Sequence, residues 1–272
     1  MKNRLLSTVG LWLGIFLVIV LMHRHGAVLL LTAFAFLTQR EFYQLLQRMR
    51  YTPWEFFGLS AGVLLLITTF YFHPWVSHAG GLVLAFSAIG LSAVQLFDEQ
   101  QPQCLITTLL GIVWIPFNLH FYILLMAKVD HATPYLATLL PVWVIAVAKF
   151  SDVGGLLIGS RIGRTRLSPL ISPNKTVEGA VGGILTSILV GLILGILFNI
   201  TELAPWWALG LFAIPIAVSA ILSDLLESYI KRKAGAKDSG NLIPGIGGAF
   251  DLIDSLLLTG PVAFILFDLF IL

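Results

Sequence analysis

Apolar residues run through this chain in blocks rather than in alternation. Val63–Phe72 and Ile184–Phe198 are mostly apolar and show no period of two. The strands of an outer-membrane barrel would alternate polar and apolar positions, so the pattern predicts helices. A membrane-spanning helix needs roughly 20 mostly apolar residues. Such segments fall near 5–22, 26–46, 54–73, 80–97, 104–127, 134–158, 176–199, 205–230 and 250–271. The expected fold is all-α, a polytopic bundle of about nine transmembrane helices in a single integral membrane domain, 1–272. The first segment follows Lys2 and Arg4 and is flanked by His23-Arg24-His25, with no small-residue cleavage site. It reads as a retained anchor.

Composition agrees. Of 272 residues, 58% are hydrophobic and 11% charged, and mean hydropathy is +0.94. Soluble domains carry about 25% charged residues, so a water-facing surface cannot be built from this chain. That excludes an ordinary soluble enzyme, a nucleic-acid-binding module and a disordered tail. The formal charge of +2 is too small to argue for nucleic acid. The lone Cys104 excludes an intrachain disulfide, and the six histidines lack metal-ligand spacing.

Basic residues orient the bundle. With a cytoplasmic N-terminus, thirteen of the sixteen lysines and arginines fall in inside loops or adjoining span ends. Outside loops hold only Arg24 and Lys128, and Lys149 lies inside a span. This is the positive-inside pattern, and nine spans then put the C-terminus outside. The expected location is the cell inner (cytoplasmic) membrane.

Ionisable groups in hydrocarbon are costly and point to function. The second half carries Asp152, Glu178, Asp224, Glu227, Asp251, Asp254 and Asp268. All but Asp268 lie near cytoplasmic span ends. Asp224, Glu227, Ser228 and Lys231 share a helical face, and Asp251 and Asp254 share another. Between them runs a glycine-containing loop with Lys231, Arg232, Lys233 and Lys237. Carboxylates beside a basic loop suit a divalent cation holding phosphates. Upstream, Pro173 ends any helix, Thr176 begins the next span, and Lys175 stands at that helix N-terminus, a natural anion site. Blander readings exist for each feature. A basic loop serves as a topology signal, and Glu227 can pair with Lys231. Glu178 suits a helix start, Arg40-Glu41 marks an interface, and Gly182, Gly183, Gly191 and Gly195 permit close helix packing.

One segment is more specific. Ser228-Tyr229-Ile230-Lys231-Arg232, Lys237-Asp238-Ser239-Gly240, Ile243-Pro244-Gly245, Gly247-Gly248, Asp251 and Asp254 together resemble the signature of the phosphatidate cytidylyltransferases, the CDP-diacylglycerol synthases. Asp152 with its glycines, and Ser172 to Gly179, resemble that family's upstream motifs. The resemblance covers about residues 134–272, the expected catalytic part. It implies that CTP and phosphatidate give CDP-diacylglycerol and pyrophosphate with Mg²⁺, at a membrane site open to the cytoplasm. It also implies a fold that is often a homodimer. On that reading Asp224 and Asp251 are the foremost cation ligands and Asp254 and Asp152 secondary ligands or organisers. Lys175, Lys231, Arg232 and Lys237 contact phosphates, and Asp238 holds the loop or binds nucleotide. Three positions depart from the signature: Ile246 replaces a histidine, Leu252 an arginine, and Ala249 a larger apolar residue. The competing expectations are a family member with altered substrate or no catalysis, and a transporter. A transporter would place its acids nearer the midplane.

Overall fold

The computed structural model describes residues 2–72, 81, 85, 87–90, 102–130, 134–242 and 247–270. The chain divides into two compact units, one of Met1–Ala127 with Ile230–Ile253, the other of Lys128–Tyr229 with Asp254–Leu272. Among the described residues, seven helical segments are long and apolar enough to cross a membrane. The expected all-α membrane bundle is therefore observed. The span expected near 80–97 lies largely outside the described residues.

The first unit opens with α1 (Lys2–Arg48). The two spans expected at 5–22 and 26–46 form one element, kinked at His23, whose φ is 49°. It continues through α2 (Glu55–Phe72), α3 (Pro102–Trp114) and α4 (Pro116–Asp130). Pro116 has no N–H and suits a helix start, so the 104–127 segment is two helices separated by Ile115. Tyr43 is fully buried. Its hydroxyl donates to the Thr108 carbonyl at 2.8 Å, and Gln39 Nε2 donates to that hydroxyl at 3.0 Å and to the Gly58 carbonyl at 2.9 Å. A Cβ at Gly58 or Gly111 would sit 2.1 or 2.2 Å from the Tyr43 ring system, so both glycines make room for it.

The second unit contains α5 (Pro134–Ile162), a hairpin of β1 (Arg166–Ser168) and β2 (Ser172–Thr176), α6 (Val177–Leu197) and most of α7 (Trp206–Lys233). The expected last span is broken. α8 (Ala249–Ile253) ends the first unit's share, a 3₁₀ turn covers Asp254–Leu256, and α9 (Thr259–Phe270) follows. In α6 the buried face is Gly179, Gly182, Gly183, Ser187, Gly191 and Gly195. Large side chains such as Leu185 and Leu189 are exposed. Small residues inside and large ones outside is the membrane pattern, because lipid tails solvate leucine as well as protein does. A Cβ at Gly183 would lie 2.3 Å from the Ser151 carbonyl of α5, which shows how closely the two helices pass. Trp143 Nε1 donates to the Gly191 carbonyl at 2.7 Å, and Trp143 meets Phe267 edge-on. The expected packing role of these glycines is thus observed.

Candidate active site

In the second unit, four elements bring charge together. α5 supplies Lys149 and Asp152, β2 supplies Lys175, α7 supplies Asp224 and Glu227, and the 3₁₀ turn supplies Asp254. One carboxylate oxygen from each of Asp224, Glu227 and Asp254 lies within 4.8 Å of the other two. Glu227 is fully buried. Lys149 Nζ donates to Asp254 Oδ1 at 3.1 Å. Lys175 Nζ donates to Asp224 Oδ2 and lies 3.9 Å from Asp152 Oδ1. Ser223 Oγ donates to the Asp254 carbonyl, and the Ser255 N–H donates to Asp254 Oδ1 at 2.6 Å.

Each like-charge pair at that spacing repels by roughly 3.5 kcal/mol at an effective dielectric of 20. Four carboxylates (Asp152, Asp224, Glu227, Asp254) against two ammonium groups (Lys149, Lys175) leave a formal charge of −2 on these six side chains. An all-oxygen donor set with that surplus fits a hard divalent cation.

The β1–β2 hairpin, which the apolar pattern did not predict, presents Lys175. It pairs Arg166 with Thr176 and Ser168 with Ser172. Thr176 caps α6, accepting from the Gly179 N–H at 3.0 Å. The Glu178 carboxylate accepts from the N–H groups of Arg164 and Thr165 at 3.0 and 3.1 Å, fastening the hairpin to the helix start. Glu178 therefore serves as more than a helix-start acid.

The signature loop belongs to the first unit. α7 closes with paired bonds, Ala236 N–H to the Lys231 carbonyl at 2.9 Å and Gly235 N–H to the Arg232 carbonyl at 3.1 Å. Gly235 takes φ +65°, the left-handed value this closure demands. Arg232 is exposed and donates to the Ala236 carbonyl at 3.2 Å. Lys231 Nζ donates to Asp251 Oδ1 at 2.7 Å. Asp251 Oδ2 accepts from the Ser239 N–H at 3.0 Å and the Gly248 N–H at 2.8 Å, and lies 2.9 Å from the Ser239 hydroxyl. Gly247 has φ +127°, and a Cβ there would meet Asp251 Oδ2 at 2.7 Å. Lys237 and Asp238 are exposed on the loop. Leu252 is half-buried in α8, and Ile246 lies outside the described residues.

The expected site residues thus fall into two groups. Asp152, Lys175, Asp224 and Asp254 gather in the second unit, joined by Glu227. Lys231 and Asp251 are linked in the first. Asp251 lies in the first unit, where Lys231, Ser239 and Gly248 surround its carboxylate. The helix α8 ends at Ile253, and a 3₁₀ turn covers Asp254–Leu256. Lys231 pairs with Asp251. Glu41 was read as an interfacial acid beside Arg40. It is buried instead, and accepts from Ser239, Ala249 and Phe250. Arg40 lies 3.7 Å from Glu55.

Comparison with known proteins bears on this site. The family model described as the cytidylyltransferase family matches residues 2–270. A protein of Escherichia coli strain K12, named only as uncharacterized protein YnbB, is 31% identical over 248 residues, 86% of this chain and 77% of that one. The phosphatidate cytidylyltransferase of Helicobacter pylori strain ATCC 700392 / 26695 is 41% identical over 117 residues, 43% of this chain and 42% of that one. That of Bacillus subtilis strain 168 is 32% identical over 161 residues, 59% and 57% of the two chains. The chain's matches span about half the length of these phosphatidate cytidylyltransferases. With a family match running nearly end to end, and with the signature residues in the geometry described, the chain belongs to the cytidylyltransferase family.

Proposed function

We propose that the protein transfers a cytidylyl group from CTP to phosphatidate, giving CDP-diacylglycerol and pyrophosphate. The observation that carries this reading is the acid cluster of Asp224, Glu227 and Asp254 with Lys175 donating into it, in a chain of this family. A phosphate oxygen of the lipid attacks the α-phosphorus of CTP. The bond from that phosphorus to the bridging oxygen breaks, and its electron pair leaves with pyrophosphate. The nucleophile is already anionic, so no strong base is needed, and rate comes from positioning and charge neutralisation.

Asp224 and Asp254, with Glu227, are the proposed ligands of Mg²⁺, which when bound would neutralise phosphate charge. Asp152 organises Lys175, and Lys175 takes phosphate. In the signature loop, Lys231, Arg232 and Lys237 are proposed phosphate contacts and Asp238 a nucleotide or loop contact. Asp251 accepts from Lys231, and its proposed task is to aim that ammonium. Residues 134–272 carry most of this chemistry within one integral membrane domain. Nine passes, a cytoplasmic N-terminus, an inner-membrane location and a homodimer complete the reading; the lysine and arginine bias supports the orientation.

A second reading, a family member with an altered acceptor, is favoured by Leu252, which removes a guanidinium from the signature. The test is purified protein in lipid micelles with labelled CTP, Mg²⁺ and a panel of lipid phosphates. Labelled CDP-diacylglycerol is the expected product. CTP binding without turnover of any lipid phosphate would favour a non-catalytic family member, and neither binding nor turnover would favour transport.

A further inference from the structure

Glu41 lies about two hundred positions from the residues it touches. Its Oε1 accepts from the Ala249 N–H at 2.9 Å. Its Oε2 accepts from the Phe250 N–H at 2.9 Å and the Ser239 hydroxyl at 2.8 Å. The same Ser239 hydroxyl touches Asp251 Oδ2 at 2.9 Å, and Asp251 Oδ1 holds Lys231. A chain of contacts therefore runs from α1 through Ser239 and Asp251 to the Lys231 ammonium. All of it lies within the first unit.

Two glycines of the signature are explained by this carboxylate. A Cβ at Gly240 would stand 2.5 Å from Glu41 Oε1, and one at Gly248 would stand 2.2 Å from Glu41 Oε2 and from Ser239 Oγ. Any larger residue would push the carboxylate out. Phe42, the next residue of α1, packs edge-on against Phe250 with centroids 6.0 Å apart, so the approach of α1 to α8 is fixed by an apolar contact as well. Glu41, Ser239, Ala249 and Phe250 are all buried. A buried carboxylate persists only where donors satisfy it, and here three donors converge on it.

We propose that Glu41 is the positioning residue of the signature loop: it pins Ser239 and the first turn of α8, and through Ser239 and Asp251 it aims Lys231 at the nucleotide phosphates. The inference rests on the cytidylyltransferase reading and extends it into the N-terminal helix, which the signature does not cover. Glutamine at this position presents an amide NH₂ to at least one donor, so it breaks the latch while keeping the shape.

The experiment uses the full chain in lipid micelles, as wild type and Glu41→Gln. Hydrogen exchange followed by mass spectrometry reads the amides of the segment 236–251, and steady-state kinetics reads KM for CTP and for phosphatidate separately. The expected result is faster exchange at Ala249 and Phe250, a KM for CTP raised about tenfold through the displaced ammonium, and a KM for phosphatidate changed less than threefold. A lost folded fraction would lower the maximal rate but leave KM for CTP alone. If Glu41→Gln fails to fold, Ser239→Ala removes only the hydroxyl link and is expected to raise KM for CTP in the same direction. Unchanged exchange at Ala249 and Phe250 in Glu41→Gln overturns the latch, whatever the turnover. Faster exchange with KM for CTP within twofold of wild type overturns the positioning role. A wild type with protected amides but no CTP binding or turnover overturns the functional reading and, with it, the task assigned to the latch.

Discussion

The two groups of acids differ in how their oxygens are met. In the signature loop, donors surround Glu41 and Asp251: two backbone N–H groups reach Glu41, Lys231 and two backbone N–H groups reach Asp251, and the single proton of the Ser239 hydroxyl lies between the two carboxylates. In the acid cluster, Asp224, Glu227 and Asp254 face one another, and with Asp152 they outnumber Lys149 and Lys175 four to two. A saturated network stabilises one shape. A cluster of like charges does the reverse: it costs folding energy that a cation would return. On the proposed function, the difference separates residues that build the site from residues that hold a charged ligand, among acids that look alike in sequence.

The sharpest way to break this comparison is Asp224→Asn. It removes one anionic oxygen from the cluster and keeps the volume. Turnover is expected to fall by about 10²–10³, or roughly 2.7–4 kcal/mol of transition-state stabilisation. Half-saturation for Mg²⁺ should rise at least about tenfold by the same loss of a charged ligand. Thermal unfolding without Mg²⁺ should be unchanged or raised, because a repulsive partner is gone. Near-normal turnover would remove Asp224 from the cation's ligands.

Asp251→Asn probes the other group and should look different. Turnover is expected to fall by about 10², the scale on which misplacing a catalytic group acts. The protein should also lose about 1–3 kcal/mol of stability with or without Mg²⁺, since the amide NH₂ faces donors that need an acceptor. Half-saturation for Mg²⁺ should stay within about threefold of wild type. Both variants are read by the same Mg²⁺ titration and thermal melt. A large Mg²⁺ shift in Asp251→Asn would return that residue to the ligand set and erase the distinction drawn between the groups.

What sequence could and could not reveal follows from the range of each signal. The spans were legible because hydrocarbon demands a long apolar run, and such runs need no partner to be recognised. Asp224 and Lys231 were legible as neighbours along one helix. Glu227 was visible on the same face, and the Lys231–Asp251 pair is shown by the fold alone. Glu41 reads in the sequence only as an interfacial acid. Its partners are some two hundred residues away, and an acid next to an arginine at a span end looks like any interfacial pair. The β1–β2 hairpin was invisible for another reason. Strands of three and five residues carrying Arg, Ser, Pro, Asn and Lys have no apolar alternation, and backbone pairing with the Glu178 clasp holds them instead. At the end of the chain, apolar content alone cannot distinguish one helix from two joined by a 3₁₀ turn.

The smallest expected effect tests whether the loop group has lost a phosphate contact. Leu252 stands directly after Asp251, where the family signature has arginine. It is half-buried in α8, one residue from the carboxylate that holds Lys231. A charged hydrogen bond from a guanidinium contributes roughly 1.5–3 kcal/mol, but a graft without an evolved surround should realise only the low end. Leu252→Arg is therefore expected to raise kcat/KM for CTP by about tenfold, with a larger gain if Ile246→His is added. Because Leu252 is only half-buried, the arginine stem can lie along the apolar neighbours while its head reaches outward, so the variant should fold. The comparison predicts which parameter moves: on the proposal that the loop group handles phosphate, KM for CTP should fall while Mg²⁺ half-saturation stays put. Steady-state kinetics of Leu252→Arg at fixed and then varied Mg²⁺ would decide it. A Mg²⁺ shift without a change in KM for CTP would place this position with the cation instead. A loss of stability with no kinetic gain would show that Leu252 is packed for an acceptor other than the family's own.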